Sequence, residues 1–210
     1  MRDLILKMAM SVDGFVSDVD GVNRWMFGAD EEAKAWGVET IWNASLHIMG
    51  SRSFEGMANY WQTSTDVFAA PMNQIPKAVF SRQGRAILSK VSTAAALDAA
   101  RVQGHGGELA ALQPGAESWS QAHVAGGDLA QEIARLKAQD GKPIIAHGGV
   151  SFARSLVARG LVDQFVLIVA PVALGQGLPL FCDLAEHAPL RLVSSKAFSG
   201  GAVAQIYRGA

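Results

Sequence analysis

Pro143 to Phe181 reads PIIAHGGVSFARSLVARGLVDQFVLIVAPVALGQGLPLF, and its apolar spacing changes period twice. Ile144-Ile145-Ala146 is a short apolar run that stops at Gly148-Gly149, and the apolar residues that follow, Phe152, Ala153, Leu156 and Val157, recur at helical spacing. Strand, tight turn and helix follow from that change. Ser151 is placed to cap the helix start with its hydroxyl, and Gly160 to end it in a left-handed conformation. Phe165 to Ala170 is then a continuous, β-branched apolar run closed by Pro171, the pattern of a strand covered on both faces. The three pieces make a βαβ unit, which joins parallel strands by a crossover.

At the carboxyl end of a parallel strand, a helix start leaves unpaired N–H groups facing outward, and its dipole favours an anion. Two residues without side chains at Gly148-Gly149 let a phosphate approach that backbone. A glycine pair also serves plain tight turns. Gly175-Gln176-Gly177, between Pro171 and Pro179, adds a second glycine motif just after the second strand.

A chain of 210 residues, half of them hydrophobic and 18% charged, fits one domain spanning 1–210 with a sizeable core and argues against disorder. The formal net charge of -1 offers no basic field for nucleic acid or an anionic membrane, so an anionic ligand must be held locally. The single cysteine, Cys182, excludes an internal disulfide and a cysteine metal cluster, which suits a reducing cytoplasm. Leu4 to Met10 is interrupted by Lys7 and is too short for a membrane span or a signal h-region.

Outward from the central unit, Leu4 to Met10 is a first strand, mostly apolar and hence central, that runs into the Asp13-Gly14 turn and a short continuation at Phe15-Val16. Asp18 to Gly28 is a polar loop carrying Trp25. Asp30-Glu31-Glu32 opens a helix, with Trp36, Ile41 and Trp42 on its buried face. Leu46 to Met49 is a strand followed by a turn at Gly50-Ser51-Arg52-Ser53, and Ala78-Val79-Phe80 is a strand followed by Ser81-Arg82. Three strands thus deliver Gly, Ser or Arg at their carboxyl ends, where open α/β sheets bind ligands. From 83 to 119 the pattern weakens into an expected loop insertion, with an alanine-rich helix candidate at Thr93 to Val102. Asp128 caps a further helix carrying Leu129, Ile133 and Leu136 on one face, and Leu190 to Val193 and Val203 to Tyr207 close the chain as an antiparallel hairpin.

Met10-Ser11-Val12-Asp13-Gly14-Phe15, Ile48 to Glu55, Val79 to Arg82, Gly148-Gly149, and Leu161-Val162-Asp163 through Pro171 to Phe181 occur in an order that resembles the dihydrofolate reductase-like superfamily, in particular the group similar to the C-terminal reductase domain of bifunctional riboflavin-biosynthesis deaminase/reductase proteins. The resemblance covers the chain nearly end to end, leaving mainly 83–119 unmatched. It implies an α/β fold with a mostly parallel central sheet flanked by helices and an antiparallel C-terminal strand pair. It also implies NADPH lying across the carboxyl ends of the strands. Carried over by position, Gly148, Gly149, Val150 and Ser151 would hold the pyrophosphate, Gly50, Ser51, Arg52 and Ser53 would meet phosphate from the other side, and Ser81 and Arg82 would surround the adenosine 2′-phosphate. Guanidinium forks and hydroxyls are what a phosphate dianion calls for. One departure is that Ser51 intervenes before Arg52, where dihydrofolate reductases put a basic residue directly after the glycine. The implied reaction is hydride transfer to a small heterocyclic substrate, a pterin or a ribosylaminopyrimidine. No zinc-type His/Cys signature of a deaminase precedes the reductase region. The alternatives are dihydrofolate reductase activity and a nucleotide-binding module without turnover. Family members pair through C-terminal strands and loops, so a homodimer is implied, with no nucleic-acid or membrane partner and no metal.

Asp13, at the mouth of the first strand, is the first candidate for orienting or protonating substrate, or else an ordinary turn former. Asp30 is an acid in the region where dihydrofolate reductases carry one, or else a helix cap. Trp25 gates the nicotinamide or packs. Arg52 and Arg82 contact ligand or are solvated. His47 and His147 read as core or strand-end histidines, and Cys182 as a small buried hydrophobe.

Overall fold

A computed structural model of the chain describes residues 1–28, 31–102, 111–182 and 184–209. Strands β1 (Leu4–Ser11), β2 (Phe15–Ser17), β3 (Leu46–Gly50), β4 (Lys77–Phe80), β5 (His123–Ala125), β6 (Ile144–His147), β7 (Gln164–Ala170), β8 (Leu178–Pro179), β9 (Leu190–Ala197) and β10 (Val203–Gly209) alternate with helices α1 (Glu31–Trp42), α2 (Ser51–Trp61), α3 (Ala69–Gln74), α4 (Thr93–Val102), α5 (Leu129–Lys137) and α6 (Val150–Ala158). Eight strands form one sheet in the order β5-β4-β3-β6-β1-β7-β10-β9, and β2 pairs with β8 separately. From β5 to β7 every pairing is parallel, whereas β10 runs antiparallel to both β7 and β9. The expected α/β sheet with an antiparallel C-terminal pair is therefore the observed one.

Alternation along the central strands explains the layering. Leu4, Leu6 and Met8 of β1 join Ile48, Ala146 and the α5 and α6 residues Ile133, Ala153 and Leu156 in one core. Ile5, Met49, Val79, Ile145 and Val166 face the other way, onto Ile41 of α1, Phe54 and Ala58 of α2 and Met72 of α3. Both faces of the parallel strands are covered, which is why they read as continuous apolar runs. The crossover from β6 through α6 to β7 places both strands parallel to β1, which lies between them.

Several elements differ from the expectation. Trp42 is 38% exposed, because it lies at the last position of α1, and the buried face is Ala33, Gly37 and Ile41. The 83–119 stretch contains, besides the helix α4 where the alanine-rich candidate stood, a 3-10 segment at Gly84–Val91 and a 3-10 turn at Ala116–Trp119 that the pattern did not show; residues 103–110 of it lie outside the described residues. Ile87, Val91 and Trp119 are fully buried in the second core, so this stretch covers the sheet. Trp119 donates from Nε1 to Asn73 Oδ1 at 2.7 Å, which satisfies the one polar atom of a buried indole. Edge strand β5 is too short for its alternation to show in sequence. Among the described residues no helix is long and apolar enough to cross a membrane.

Candidate functional site

Strands β3 and β6 are parallel neighbours, so α2 and α6, which follow them directly, begin side by side at the carboxyl edge of the sheet. Neither start carries a side-chain cap, and neither has an acid in its first turn. Gly50 is the N-cap of α2; Ser51, Arg52 and Ser53 are its first helical residues, not the turn expected of them. Gly149 is the N-cap of α6, with φ 77°. Ser151, expected as the cap, lies inside the first turn, because the glycine's positive φ starts the helix two residues earlier. The first helical bond runs from Ala153 N–H to Gly149 O at 2.9 Å, leaving the N–H groups of Val150, Ser151 and Phe152 without helical partners.

The two starts touch. A Cβ at Gly149 would stand 2.7 Å from Ser53 Oγ, and one at Gly50 would stand 3.1 Å from Phe152 Cβ. Phe152 in turn packs on Phe80, the last residue of β4, with ring centroids 4.9 Å apart. Ser51 Oγ donates to Phe80 O at 3.2 Å, so the next turn of the edge is tied in as well. There Ser81 is buried, with its N–H donating to Ala125 O and its Oγ accepting from Gln83 N–H. Arg52 and Arg82 are exposed. The structure thus brings together Gly50, Ser51, Ser53, Ser81, Gly148, Gly149, Val150 and Ser151. Such a row of unpaired N–H groups and hydroxyls is complementary to a diphosphate.

Asp13 belongs elsewhere. Its carboxylate accepts from Ser11 Oγ at 2.6 Å and from the backbone N–H groups of Leu174 and Gly175, the latter at 2.7 Å. The Ser11 hydroxyl first, then the Gly175 amide, lowers its pKa to about 2. Its oxygens are taken up by these donors, an arrangement that suits the turn-forming reading of Asp13. Asp13 anchors the loop after β7 to the end of β1. The Gly175-Gln176-Gly177 motif has structural roles here: Gly175 N–H serves Asp13, and a Cβ at Gly177 would run into Ser17 O of β2. Trp25 sits in a 3-10 turn at Arg24–Gly28, its indole Nε1 buried without a hydrogen-bond partner. Asp30 lies outside the described residues.

The sequence pass missed Lys7. It is half-buried in β1, its side chain on the same face as Ile5, and directly opposite His147 in the register with β6. Burial lowers its pKa to about 8, and no salt bridge among the described residues includes it. A lysine inside an apolar run was the available signal. His147 and His47 are buried with ring centroids 4.7 Å apart. Burial first, then the charge of Lys77, brings His47 to about 3, and burial with the charges of His47, Lys7 and Lys77 holds His147 well below the ordinary range. Lys77 is a different case, at the amino end of β4. Its ammonium donates to Asn73 O, Ile75 O and Ser118 Oγ, which fits a structural role. Among the described residues no cluster of His, Cys, Asp and Glu could hold a metal ion.

Comparison with known proteins places the chain in a family. The family model described as RibD C-terminal domain matches residues 2–204. The Bacillus subtilis (strain 168) protein YyaP, itself uncharacterized, is 27% identical over 207 residues, covering 98% of this chain and 94% of that one. A Thermotoga maritima diaminohydroxyphosphoribosylaminopyrimidine deaminase/5-amino-6-(5-phosphoribosylamino)uracil reductase superposes with a TM-score of 0.65 at 18% identity, over 100% of this chain and 57% of that one. Dihydrofolate reductase from Enterococcus faecalis, complexed with NADP(H), superposes with a TM-score of 0.55 at 10% identity, over 99% and 96% of the two chains. At these identities the two structures speak for the fold.

Proposed function

Because the chain belongs to the RibD C-terminal domain family, we propose that it is an NADPH-dependent reductase of a small heterocyclic substrate. The observation that carries this reading is the pair of bare, touching helix starts at Gly50–Ser53 and Gly149–Ser151, on neighbouring parallel strands and free of any acid. A dinucleotide diphosphate fits their donor set: backbone N–H groups of Val150 and Ser151 on one side, and those of Ser51, Arg52 and Ser53 on the other. Arg82, beside the buried Ser81, is the residue we assign to the 2′-phosphate.

When bound, the cofactor supplies the hydride. Lys7 holds the substrate by the oxygen or nitrogen that gains electron density and gives that atom a proton; an ammonium titrating near neutrality suits the task. The ribosylaminopyrimidine type is the substrate class we favour, since Lys7 is basic and no ion pair among the described residues occupies it. The test is to incubate the protein with NADPH and, separately, the ribosylaminopyrimidine and dihydrofolate, and to follow the nicotinamide absorbance. Oxidation with the pyrimidine is expected. Oxidation with dihydrofolate alone would make the protein a dihydrofolate reductase, binding without oxidation would leave a nucleotide-binding module, and no binding would remove the proposal.

A further inference from the structure

We infer that Lys77, Ser118 and Asn73 form a proton-operated clamp at the amino edge of the sheet: the Ser118 hydroxyl changes partner with the charge on Lys77, and residues 113–119 dock more firmly on α2 and α3 once that charge is gone. The clamp does not rest on the reductase reading. It sits at the start of β4, whereas the bare helix starts follow the far ends of β3 and β6. Lys77 is buried, and its Nζ donates to Ile75 O at 2.6 Å, to Ser118 Oγ at 2.6 Å and to Asn73 O at 3.0 Å. Ser118 Oγ donates in turn to Asn73 O. The Asn73 side chain joins the two sides, since its Nδ2 donates to Trp61 O, at the end of α2, and its Oδ1 accepts from Trp119 Nε1, both at 2.7 Å. Gln113 N–H adds a bond to Gln62 O, and a Cβ at Gly115 would stand 3.0 Å from Asn73 O, so the segment lies directly on α3. Nζ of Lys77 is also 4.8 Å from the centroid of the Trp119 ring.

This set of partners suits both protonation states of a lysine. An ammonium has three protons to give, and an amine has two and a lone pair. Two of the partners are carbonyls, which only accept; the third is a hydroxyl, which can also donate. With Lys77 charged, the hydroxyl proton goes to Asn73 O, as it does here. With Lys77 neutral, both carbonyls keep a lysine N–H and the hydroxyl turns its proton onto Nζ, so no buried group is left unpaired. The proton that leaves passes to water through a cleft of about 510 Å³ that Lys77 and Ser118 line together with Gln74, Gln121 and His123.

Burial lowers the Lys77 pKa to about 7, and the charge of Glu117, beside Ser118, opposes the shift. The other titratable groups around it are basic: His47 is its register partner on β3, His147 lies beyond that ring, and His123 stands on the neighbouring β5. Helix α3 has no titratable side chain, and α5 contributes Leu136 and Gln139 to the cleft. Released from the clamp, Lys77 regains the ordinary lysine value of 10.5. The docked chain therefore binds fewer protons than the released one between about 7 and 10.5, so docking tightens as pH rises through that window and is level below it.

Lysine carbon-13 NMR on the full chain, with the Lys77 signal assigned through its contact with the Trp119 ring, is expected to show a midpoint near 7, and a midpoint at the ordinary 10.5 would overturn the inference. The Trp119 indole N–H resonance should move with the same midpoint, because the charge that is lost lies over that ring; a resonance that ignores it would also overturn the clamp. In urea unfolding, the wild type should gain on Lys77→Met roughly tenfold in folding constant for each unit of pH between 7 and 9. An equal response in both proteins would reduce Lys77 to a static tie. Should that variant not fold, the two wild-type titrations still decide. None of these measurements uses NADPH, so a protein that passes them and binds no cofactor sinks the reductase reading and leaves the clamp standing.

Discussion

Helices α1 and α5 begin differently from α2 and α6. At α5, Asp128 accepts from Gln131 N–H at 3.1 Å and Glu132 adds a second acid, while α1 opens on Glu31 and Glu32. These ends neutralise their own dipoles. At α2 and α6 the cap is a glycine, with no side chain to take the free N–H groups, and no acid lies in the first turn. A fold that needed only stable helices would cap all four, since a cap is worth about 1 kcal/mol. Of these four helices, the two that leave donors available begin on one edge of the sheet.

The sharpest way to break the contrast is to give α6 the end that α5 has. Ser151→Asp puts a carboxylate in its first turn, which should stabilise the helix by about 0.5 kcal/mol while weakening NADPH roughly 100-fold through repulsion of the diphosphate. A fluorescence titration and a melt measure both. Unchanged cofactor affinity would mean the bare end is not the phosphate site. Next in size, Arg82→Ala should weaken NADPH roughly tenfold and leave NADH unaltered, because the guanidinium is assigned to the extra phosphate alone; equal losses would return Arg82 to solvent. The smallest effect belongs to the capped end. Asp128→Ala should cost about 1 kcal/mol in urea unfolding and leave cofactor titration as it was, and a change in the latter would blur the distinction between the two kinds of helix start.

Much of this was legible in the residues. The apolar runs at Leu4–Met10 and Phe165–Ala170 identify strands covered on both faces, and Asp128 identifies its helix because its cap is a local side-chain interaction. Ser151 misleads for the same reason: a serine beside two glycines offers a cap, and only the φ of Gly149 decides that the helix begins earlier. The anchoring partners of Asp13, Leu174 and Gly175, do not show in sequence because they are 161 and 162 residues away, while the neighbour that does show is Gly14. Gly177 looks like a ligand glycine and packs against β2, whereas Gly175 turns the chain at φ 74° with its amide on Asp13, a distinction that needs the third dimension. Lys7 was overlooked as an interruption in a strand, although an interruption is what a polar group in a core looks like.

The Asp13 anchor constrains motion. Val12 N–H donates to Val172 O while the carboxylate gathers Ser11, Leu174 and Gly175. Any hinge at the seam between β1 and the turn after β7 would break all of these together, and the low pKa of Asp13 keeps them formed in all but strong acid. Lys7, on the same strand, is thereby tied to the turn after β7 at this end of the sheet.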